Sequence, residues 1–281
     1  MMSRWREFWE QFRRNRGAVV GLAIVLMVIS MAVAAPVIYP EDPGEMIAPP
    51  FLWPFEDWAF PLGSDSLGRD IAAQIFHGAR VSLLVGATAT SAAVSIGVSV
   101  GLAAGYFRGR VDDVLMRMTE VIQTIPPFVL SIIMVAVFRP SLRTIIVAIC
   151  VVSWPSIARL VRAEALSLRE REFVQAGIVM GMSDLRLVLT QILPNALTPV
   201  VIAASLMMAT SILLEAGLSF LGLGDPNVVS WGMIIGAGRD SVRDAWYISA
   251  IPGCAIFITV LGLNLVGEGL NDALNPRLRR R

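Results

Sequence analysis

Six runs of the chain contain no Asp, Glu, Lys or Arg, and they dominate its pattern of apolar and polar positions. They cover residues 17–40, 81–107, 121–138, 144–158, 187–214 and 245–267. A helix needs roughly 20 apolar residues to cross the hydrocarbon core of a bilayer, and charged side chains near its ends can reach the interface. The pattern therefore predicts six membrane-spanning helices, and the short fourth one must extend into residues 159–162. The first run is too long for a typical signal peptide and lacks a small-residue cleavage site, which favours a retained anchor.

The segment between the first two spans predicts an external loop followed by a short helix. Residues 41–60 are rich in Pro, Trp and acidic side chains and have no helical period. From Leu67 onwards the apolar residues return with helical spacing, and Ser66 is a candidate N-cap. The apolar face consists of Leu67, Ile71, Ile75 and Phe76. This pattern predicts a short amphipathic helix that leads into the second span, either as an interfacial collar or with a direct role at an external gate.

Composition and charge agree with an integral membrane protein of all-α class. The 281 residues are 56% hydrophobic and 16% charged, with a mean hydropathy of +0.68, which is too apolar for an ordinary soluble domain. The 23 basic residues are all arginine, and 17 of them fall on one side of the predicted spans and 6 on the other. The positive-inside rule then places both termini in the cytoplasm.

Other chemistries find little support in the sequence. A formal net charge of +1 does not indicate a nucleic-acid partner. Cys150 and Cys254 each lie inside an apolar run without a partner at metal-ligand spacing, and His77 has no cluster of ligating residues around it. These residues are therefore interpreted as packing residues.

Polar groups and prolines inside the spans predict the walls of a cavity, which is the candidate for a path across the membrane. The stretch IQTIPPF places two prolines early in the third span, and SWPS places one in the fourth; such breaks free backbone carbonyls that neighbouring helices or water must satisfy. Glu215 is an ionisable group near the outer end of the fifth span, where it either serves a gate or makes a structural interhelical bond. The candidate path consists of Gln123, Thr124, Pro126, Ser131, Ser153, Trp154, Ser205, Met208, Thr210 and Glu215.

A charged stretch between the fourth and fifth spans predicts a rigid elbow. Residues 164–180 form a charged helix in this interpretation, with Gly181 in the left-handed position that ends it. Its apolar positions, which leave a face free for docking, are Leu168, Phe173, Ala176 and Met180. Ser183 or Asp184 can cap the next helix, and Pro194 fits the first turn of the fifth span. The result is a helix, a tight turn and a second helix that project into the cytoplasm.

The elbow sequence QAGIVMGMSDLRLVLTQILP resembles the cytoplasmic signature of the membrane subunits of bacterial ABC importers, in which EAA is followed by three residues, G, nine residues, I, one residue and LP. Ala176, Gly181, Leu193 and Pro194 match this signature, whereas Gln175, Gly177 and Gln191 depart from it. Further similar stretches are RRNRGAVVGL, LGSDSLGRD, HGARVSLLVG, AGYFRGRVDDVLMR, REFVQAG, ILPN, LSFLGLG and NLVGEGLNDALNPRLR. Together they extend the resemblance over nearly the whole chain to the C-type permease of dipeptide, oligopeptide and nickel importers.

The resemblance implies half of a type I importer in the bacterial inner membrane, with six spans and both termini cytoplasmic. Its implied partners are a homologous second permease, two cytoplasmic ATPase subunits that bind ATP and Mg²⁺, and an extracytoplasmic solute-binding protein. The chain itself would bind no cofactor, and it has no lysine with which to build a P-loop. The implied cargo is a dipeptide or oligopeptide, with nickel or another small solute as the alternative.

The resemblance also implies a division of the chain and a set of coupling residues. The divisions are an N-tail and anchor at 1–40, an external segment at 41–79, a five-helix permease core at 80–271 with a coupling segment at 164–195, and a cytoplasmic tail at 272–281. The residues expected to couple to the ATPase are Glu172, Phe173, Gln175, Ala176, Gly177, Gly181, Ser183, Asp184, Leu193 and Pro194.

Two other function classes fit the sequence less well. A membrane-embedded enzyme requires a cluster of catalytic groups inside the spans, and Glu215 has no His or Asp beside it in the sequence. An ion-coupled or proton-coupled carrier is expected to show inverted repeats and acidic residues at the membrane midplane, and neither is visible.

The arginine distribution yields a prediction about topology. Gly181 and both termini are expected to be cytoplasmic, and Trp53, Arg139 and Asp225 external. Single cysteines introduced at these positions, in a chain that lacks Cys150 and Cys254, are labelled in intact cells with a membrane-impermeant reagent. Labelling of Gly181→Cys from outside the cell would contradict the prediction.

Overall fold

The computed structural model describes residues 2–274, and its regular structure there is helical apart from an isolated β-bridge between Ser64 and Asp70. The α-helices are α1 (Met2–Arg14), α2 (Arg16–Ile38), α3 (Ile71–Phe107), α4 (Gly109–Gln123), α5 (Pro127–Phe138), α6 (Leu142–Arg169), α7 (Glu172–Val179), α8 (Asp184–Leu187), α9 (Leu193–Leu218), α10 (Trp231–Gly238) and α11 (Tyr247–Leu274). The π-helical turns Val188–Ile192 and Ser219–Leu223 extend α9 at its two ends, and a 3₁₀ turn at Arg239–Ser241 follows α10. The predicted all-α class is confirmed. The arginines of the tail predicted at 272–281 all fall within residues 275–281, which lie outside the described residues.

Five helical stretches are long and apolar enough to cross a membrane. They are α2, α3, α6, the stretch Asp184–Leu223 that contains α9, and α11. A sixth crossing results if α4 and α5, which meet at an angle of 81°, are counted as one broken span. The fourth predicted span extends well beyond residue 162, as its short apolar run required.

The third span departs from its prediction as one helix over 121–138. The chain bends between Gln123 and Pro127, and α5 has only 12 residues, a length of about 18 Å at 1.5 Å per residue. The hydrocarbon core is about 30 Å thick, so α5 cannot cross it alone. The break follows from Pro126 and Pro127, which have no N–H to donate and exclude the preceding residue from helical geometry.

The predicted interfacial helix before the second span is also wrong as a separate element. One uninterrupted helix, α3, begins after Asp70, whose Oδ1 accepts the N–H of Ala72 at 2.8 Å, and Ser66 does not cap it. Ile71 and Ile75 are buried in a cluster that includes Trp231 of α10. These first turns therefore belong to the protein interior, which excludes a collar on the membrane surface.

The predicted charged helix at 164–180 is divided into two. α6 ends at Arg169, Arg171 is extended with ψ of 145°, and α7 begins at Glu172. The turn directs α7 back towards the bundle, where Val174 and Leu187 are both buried in one apolar cluster. These side chains are buried only because the helix breaks before α7. The spacing of apolar residues along the sequence does not reveal this break.

The most extensive helix contact joins α3 to α6 and runs along a stripe of glycines. A Cβ atom at Gly97 would lie 2.6 Å from Cβ of Ile157, one at Gly101 would lie 2.5 Å from the carbonyl oxygen of Ala158, and one at Gly105 would lie 2.6 Å from Cβ of Ala165. Small residues at four-residue spacing allow helix backbones to approach closely inside a membrane, where van der Waals packing replaces the hydrophobic effect between helices. This contact sets the spacing of the two central helices.

The close approach predicts different outcomes for two Gly→Ala variants. Gly101→Ala inserts a methyl group where α6 leaves no room, and overpacking of this kind costs about 1–3 kcal/mol. Gly253→Ala is the matched control, because nothing lies within 4 Å of its added Cβ. Removal of a helical glycine there is expected to be neutral or to stabilise by about 0.5–1 kcal/mol. Thermal unfolding in detergent measures both, and equal midpoints for the two variants would contradict the packing argument.

Candidate translocation and coupling site

An open groove lies between α5, α6 and α9, inside the membrane-spanning part of the protein. It has a volume of about 410 Å³ and is lined by Pro127, Val152, Ser153, Ser156, Ile157, Leu160, Ala203, Leu206, Met207, Thr210 and Leu214. Its polar side chains are Ser153, Ser156 and Thr210, and the last two are exposed. The Thr210 hydroxyl donates to the carbonyl oxygen of Met207 at 2.9 Å. The groove thus combines an aliphatic wall with three hydroxyl groups.

The groove contains two of the predicted path residues, Ser153 and Thr210, and one that the sequence prediction missed. Ser156 belongs to the quoted SWPS stretch and lies three residues after Ser153, so both fall on one face of α6. The spacing of the two serines, which places both on one face of α6, was the sequence signal for Ser156.

Three further predicted path residues lie at the bend between α4 and α5. In the sequence they directly precede Pro127, which lines the groove. Thr124 and Pro126 are exposed and Gln123 is half-buried. The Thr124 hydroxyl donates to the carbonyl oxygen of Val121 at 2.7 Å. The following residue in the bend, Pro127, lines the groove, so the bend forms one of its edges.

Four further predicted path residues lie neither in the groove nor at the bend: Ser131, Trp154, Ser205 and Met208. Ser131 is buried and donates to the carbonyl oxygen of Pro127 at 2.8 Å, and Trp154 is buried in an apolar cluster. Ser205 donates to the carbonyl oxygen of Ile202 at 2.8 Å and faces Gly267 of α11. The hydrogen bonds of Ser131 and Ser205 therefore lie within their own helices.

Glu215 is the centre of a polar cluster at the end of the bundle that the arginine distribution predicts to be external, here called the outer end. Its side chain is buried, with 1% relative exposure. The Ser219 hydroxyl donates to Oε1 at 2.7 Å, the Ser82 hydroxyl donates to Oε2 at 3.4 Å, and Ser230 is a third hydrogen-bond partner. The cluster connects α3, α9 and the residue that precedes α10. The bond from Ser82 of α3 is an interhelical bond, one of the two roles that the sequence left open for Glu215, and a role in a gate stays a prediction.

The short helix α10 packs across the outer end of α9, and the sequence pattern does not predict it. The Trp231 indole N–H donates to the carbonyl oxygen of Ile75 at 3.0 Å. A Cβ at Gly232 would lie 2.4 Å from the carbonyl oxygen of Ala216, so α10 packs directly on the backbone of α9. Gly232 and Gly236 at four-residue spacing were the available signal. This backbone contact leaves no passage between the two helices.

Asp225 fastens the loop between α9 and α10 to the start of α6. Its carboxylate accepts the N–H of Leu142 at 3.0 Å and the N–H of Asn227 at 3.0 Å. The hydrogen bond from Asn227 is the main reason that the pKa of Asp225 lies below its ordinary value, since it stabilises the ionised form. The ionised carboxylate of Asp225 therefore attaches the loop to the start of α6 at the outer surface.

The elbow is formed by α7, α8 and the turn between them at the opposite, inner end. Gly181 has φ of +73°, and nothing lies within 4 Å of a Cβ built there. The left-handed conformation predicted for this residue is thus present. Ser183 occupies the N-cap position of α8 without a side-chain bond, while Asp184 accepts a hydrogen bond from Tyr106. Pro194 lies in the first turn of α9, directly after a π-helical turn.

The elbow exposes large apolar side chains at its surface. Relative exposures are 42% for Phe173, 86% for Val179, 73% for Met180 and 69% for Leu185. Two predicted docking positions, Phe173 and Met180, are among them, and Ala176 is exposed as well. Leu168 packs instead against the inner apolar cluster. An exposed apolar surface of this kind is typical of an interaction site.

Other predicted coupling residues stabilise the elbow. The Gln175 amide donates to the carbonyl oxygen of Arg169 at 2.8 Å, which fastens α7 to the end of α6. Gly177 is buried, and a Cβ there would lie 2.6 Å from Cδ2 of Leu187. Glycine at this position therefore allows α7 to pack on α8.

Comparison with known proteins places these features in context. Residues 97–280 match the family described as binding-protein-dependent transport system inner membrane component, and residues 3–54 match the N-terminal TM domain of oligopeptide transport permease C. The chain is 36% identical over 280 residues to the di/tripeptide transport system permease protein DppC of Pseudomonas aeruginosa, covering 98% of this chain and 92% of that protein. It is 39% identical over 285 residues to the dipeptide transport system permease protein DppC of Escherichia coli K12, covering 99% and 95%.

A solved structure shares the fold. A chain of the MetNI methionine ABC transporter in an inward-facing conformation superposes with a TM-score of 0.59 at 20% identity, covering 72% of this chain and 96% of that chain. At this identity the similarity shows the fold alone.

The polar cluster predicts unequal effects for two substitutions of Glu215. Glu215→Leu removes the acceptor of buried hydroxyls, and each unsatisfied hydroxyl costs about 1–3 kcal/mol. Glu215→Gln retains one carbonyl oxygen and is expected to cost less. Glu120→Leu, at an exposed position of α4, is the control. Thermal unfolding and cargo uptake are measured for each. If both Glu215 variants match the wild-type protein in the two assays, the cluster neither stabilises the outer end nor serves a gate.

Proposed function

The chain belongs to the family of binding-protein-dependent transport system inner membrane components, and on this premise we propose that it is the permease subunit of an ATP-driven importer for dipeptides or oligopeptides. As a member of this family it is a multi-pass transport component of the bacterial inner membrane. The names of the relatives, which refer to dipeptide and di/tripeptide transport, support peptides as cargo. Nickel or another small solute is the alternative.

The groove between α5, α6 and α9 is the observation that carries the proposal. Ser156 and Thr210 are exposed within membrane-spanning helices, and polar groups at that depth are expected to face protein or water in preference to lipid. α5 is too short to cross the bilayer, so the groove lacks a complete wall on that side. We infer that a homologous second permease covers the groove and that the two chains enclose the translocation path.

The elbow supports a separate ATPase as the source of energy. Its exposed apolar side chains Phe173, Val179, Met180 and Leu185 form a convex surface suited to a hydrophobic cleft. The chain contains no lysine for a P-loop, so ATP and Mg²⁺ are assigned to two cytoplasmic ATPase subunits. A solute-binding protein delivers the cargo at the outer end. Closure of the ATPase subunits would then move the elbow and reorient the groove.

Reconstitution tests the function directly. The complex of this chain with its second permease, ATPase subunits and binding protein is placed in proteoliposomes and supplied with ATP on the ATPase side. Uptake of a labelled dipeptide, a labelled longer peptide and nickel is compared. ATP-dependent uptake of either peptide supports the proposal, whereas uptake of nickel alone selects the alternative, and ATP-independent uptake contradicts the importer class.

The turn at Gly181 predicts a transport defect that depends on backbone conformation. Nothing lies within 4 Å of a Cβ at Gly181, so substitution acts only through its φ of +73°. Gly181→Val costs about 1–2 kcal/mol of local strain because a left-handed conformation is unfavourable for a β-branched residue. It is expected to lower import, together with ATPase association or cargo-stimulated ATP hydrolysis, while the spans stay inserted.

Gly181→Asn is the matched control, because asparagine tolerates the left-handed region. It is expected to import more than Gly181→Val. Charge reversal at Glu172 acts more mildly, since an exposed ion pair contributes about 0–1 kcal/mol. Import and ATP hydrolysis at wild-type rates in Gly181→Val would show that the elbow is a passive connector.

A further inference from the structure

Tyr106, near the inner end of α3, reaches the elbow through its hydroxyl group. The residue is 3% exposed, and its hydroxyl donates to Oδ1 of Asp184 at 2.6 Å. Asp184 is the first residue of α8 and follows the turn at Gly181 by three positions. We propose that this hydrogen bond is a strap that makes α3 follow the elbow during transport, so that Tyr106 and Asp184 are positioning residues for coupling. The inference rests on the importer function proposed above.

The aromatic ring of Tyr106 is held by a second helix. The guanidinium carbon of Arg169, the last residue of α6, lies 5.2 Å from the ring centroid, which is a cation–π distance. The ring also packs in the apolar cluster that contains Val174 of α7 and Leu187 of α8. The ends of α3, α6 and α8 therefore meet at the Tyr106 side chain. Contacts to the ring hold it in the orientation in which its hydroxyl bonds to Asp184.

The strap is distinct from the other polar contacts at the inner end. Arg108 pairs with Glu170 and donates to the carbonyl oxygen of Leu166, which joins the end of α3 to α6. Within residues 2–274, the Tyr106 hydroxyl makes the one hydrogen bond that joins α3 directly to α8. A hydrogen bond to a carboxylate is short and directional, so a displacement of α8 would also displace α3. A nonspecific apolar contact would allow the two helices to slide past each other.

α3 carries this contact to the outer end of the molecule. The helix is uninterrupted from Ile71 to Phe107, and Ser82 lies 24 residues before Tyr106, a separation of about 36 Å at 1.5 Å per residue. Ser82 donates to Glu215 in the outer polar cluster. One rigid helix thus bonds to the elbow at one end and to the outer cluster at the other. A movement of the elbow that α3 follows would reach the outer polar cluster around Glu215.

Tyr106→Phe tests the strap, because it removes the hydroxyl and retains the ring in its apolar cluster. The complete reconstituted importer is assayed for peptide imported per ATP hydrolysed. We expect this ratio to fall about threefold to tenfold, the range of the net contribution of one typical intramolecular hydrogen bond, while cargo-independent ATP hydrolysis and the thermal midpoint stay near the wild-type values. Tyr247→Phe is the matched control. Its hydroxyl donates to the carbonyl oxygen of Leu52 at 2.9 Å at the outer end, so its loss is expected to leave the ratio unchanged.

Asp184 provides the reciprocal test. Asp184→Ala is expected to lower the ratio, and Asp184→Asn, which retains an acceptor oxygen, is expected to recover import per ATP relative to alanine. The double variant Tyr106→Phe/Asp184→Ala should be no worse than the more impaired single variant, because both remove the same bond.

Two outcomes would overturn the strap. The first is a wild-type ratio of peptide imported per ATP in Tyr106→Phe, including the case in which ATP hydrolysis and thermal stability fall in parallel. The second is a double variant whose loss equals the sum of the two single losses. A wild-type complex that hydrolyses ATP without importing peptide would instead overturn the proposed function. The two failures are therefore distinguishable in one set of proteoliposomes.

Discussion

The close approach of α3 to α6 is the constraint on which the rest of the structure depends. Gly97, Gly101 and Gly105 leave no space for a Cβ against α6, so the two helices are locked in one relative position along about two turns. That position brings Arg169 over the ring of Tyr106 at the inner end. Similar contacts recur on α3, since Gly86 lies against Ile212 of α9. The central helix thus positions both the groove-lining helices and the elbow.

Polar groups inside the bilayer are handled in two different ways, and the difference has functional meaning. Glu215 is fully enclosed and bonded to hydroxyl groups of neighbouring segments, which avoids the high cost of an unpaired carboxylate in an apolar medium. Ser156 and Thr210 are left exposed in a groove between three helices. The first arrangement fastens α3 to α9 at the outer end. The second leaves hydroxyl groups at the surface of the groove, where water, a polar solute or another protein chain is expected to face them.

The elbow combines stiffness with a small number of attachment points. Gly177 and Gly181 solve separate problems, because the first allows α7 to pack on α8 and the second allows the backbone to reverse. The π-helical turn Val188–Ile192 then connects α8 to α9 without a loop, so α8 and the fifth span form one continuous helical stretch. In the proposed mechanism, motion of the elbow would be passed to α9 through the backbone and to α3 through Tyr106. A flexible loop would transmit neither.

The sequence by itself determined the all-α membrane class, most of the spans, the left-handed glycine at the elbow and the family, because these depend on local composition, apolar run length and short motifs. The tertiary structure decided which polar side chains face the groove: Ser153 and Thr210 do, whereas Ser131 and Ser205 bond within their own helices and pack against neighbours. It also decided the break before α7 and the burial of the first turns of α3. Each of these depends on contacts between residues far apart in the chain, and apolar runs look alike whether they face lipid, a neighbouring helix or a path. Helix rotation and packing assign the faces, and a single sequence records neither.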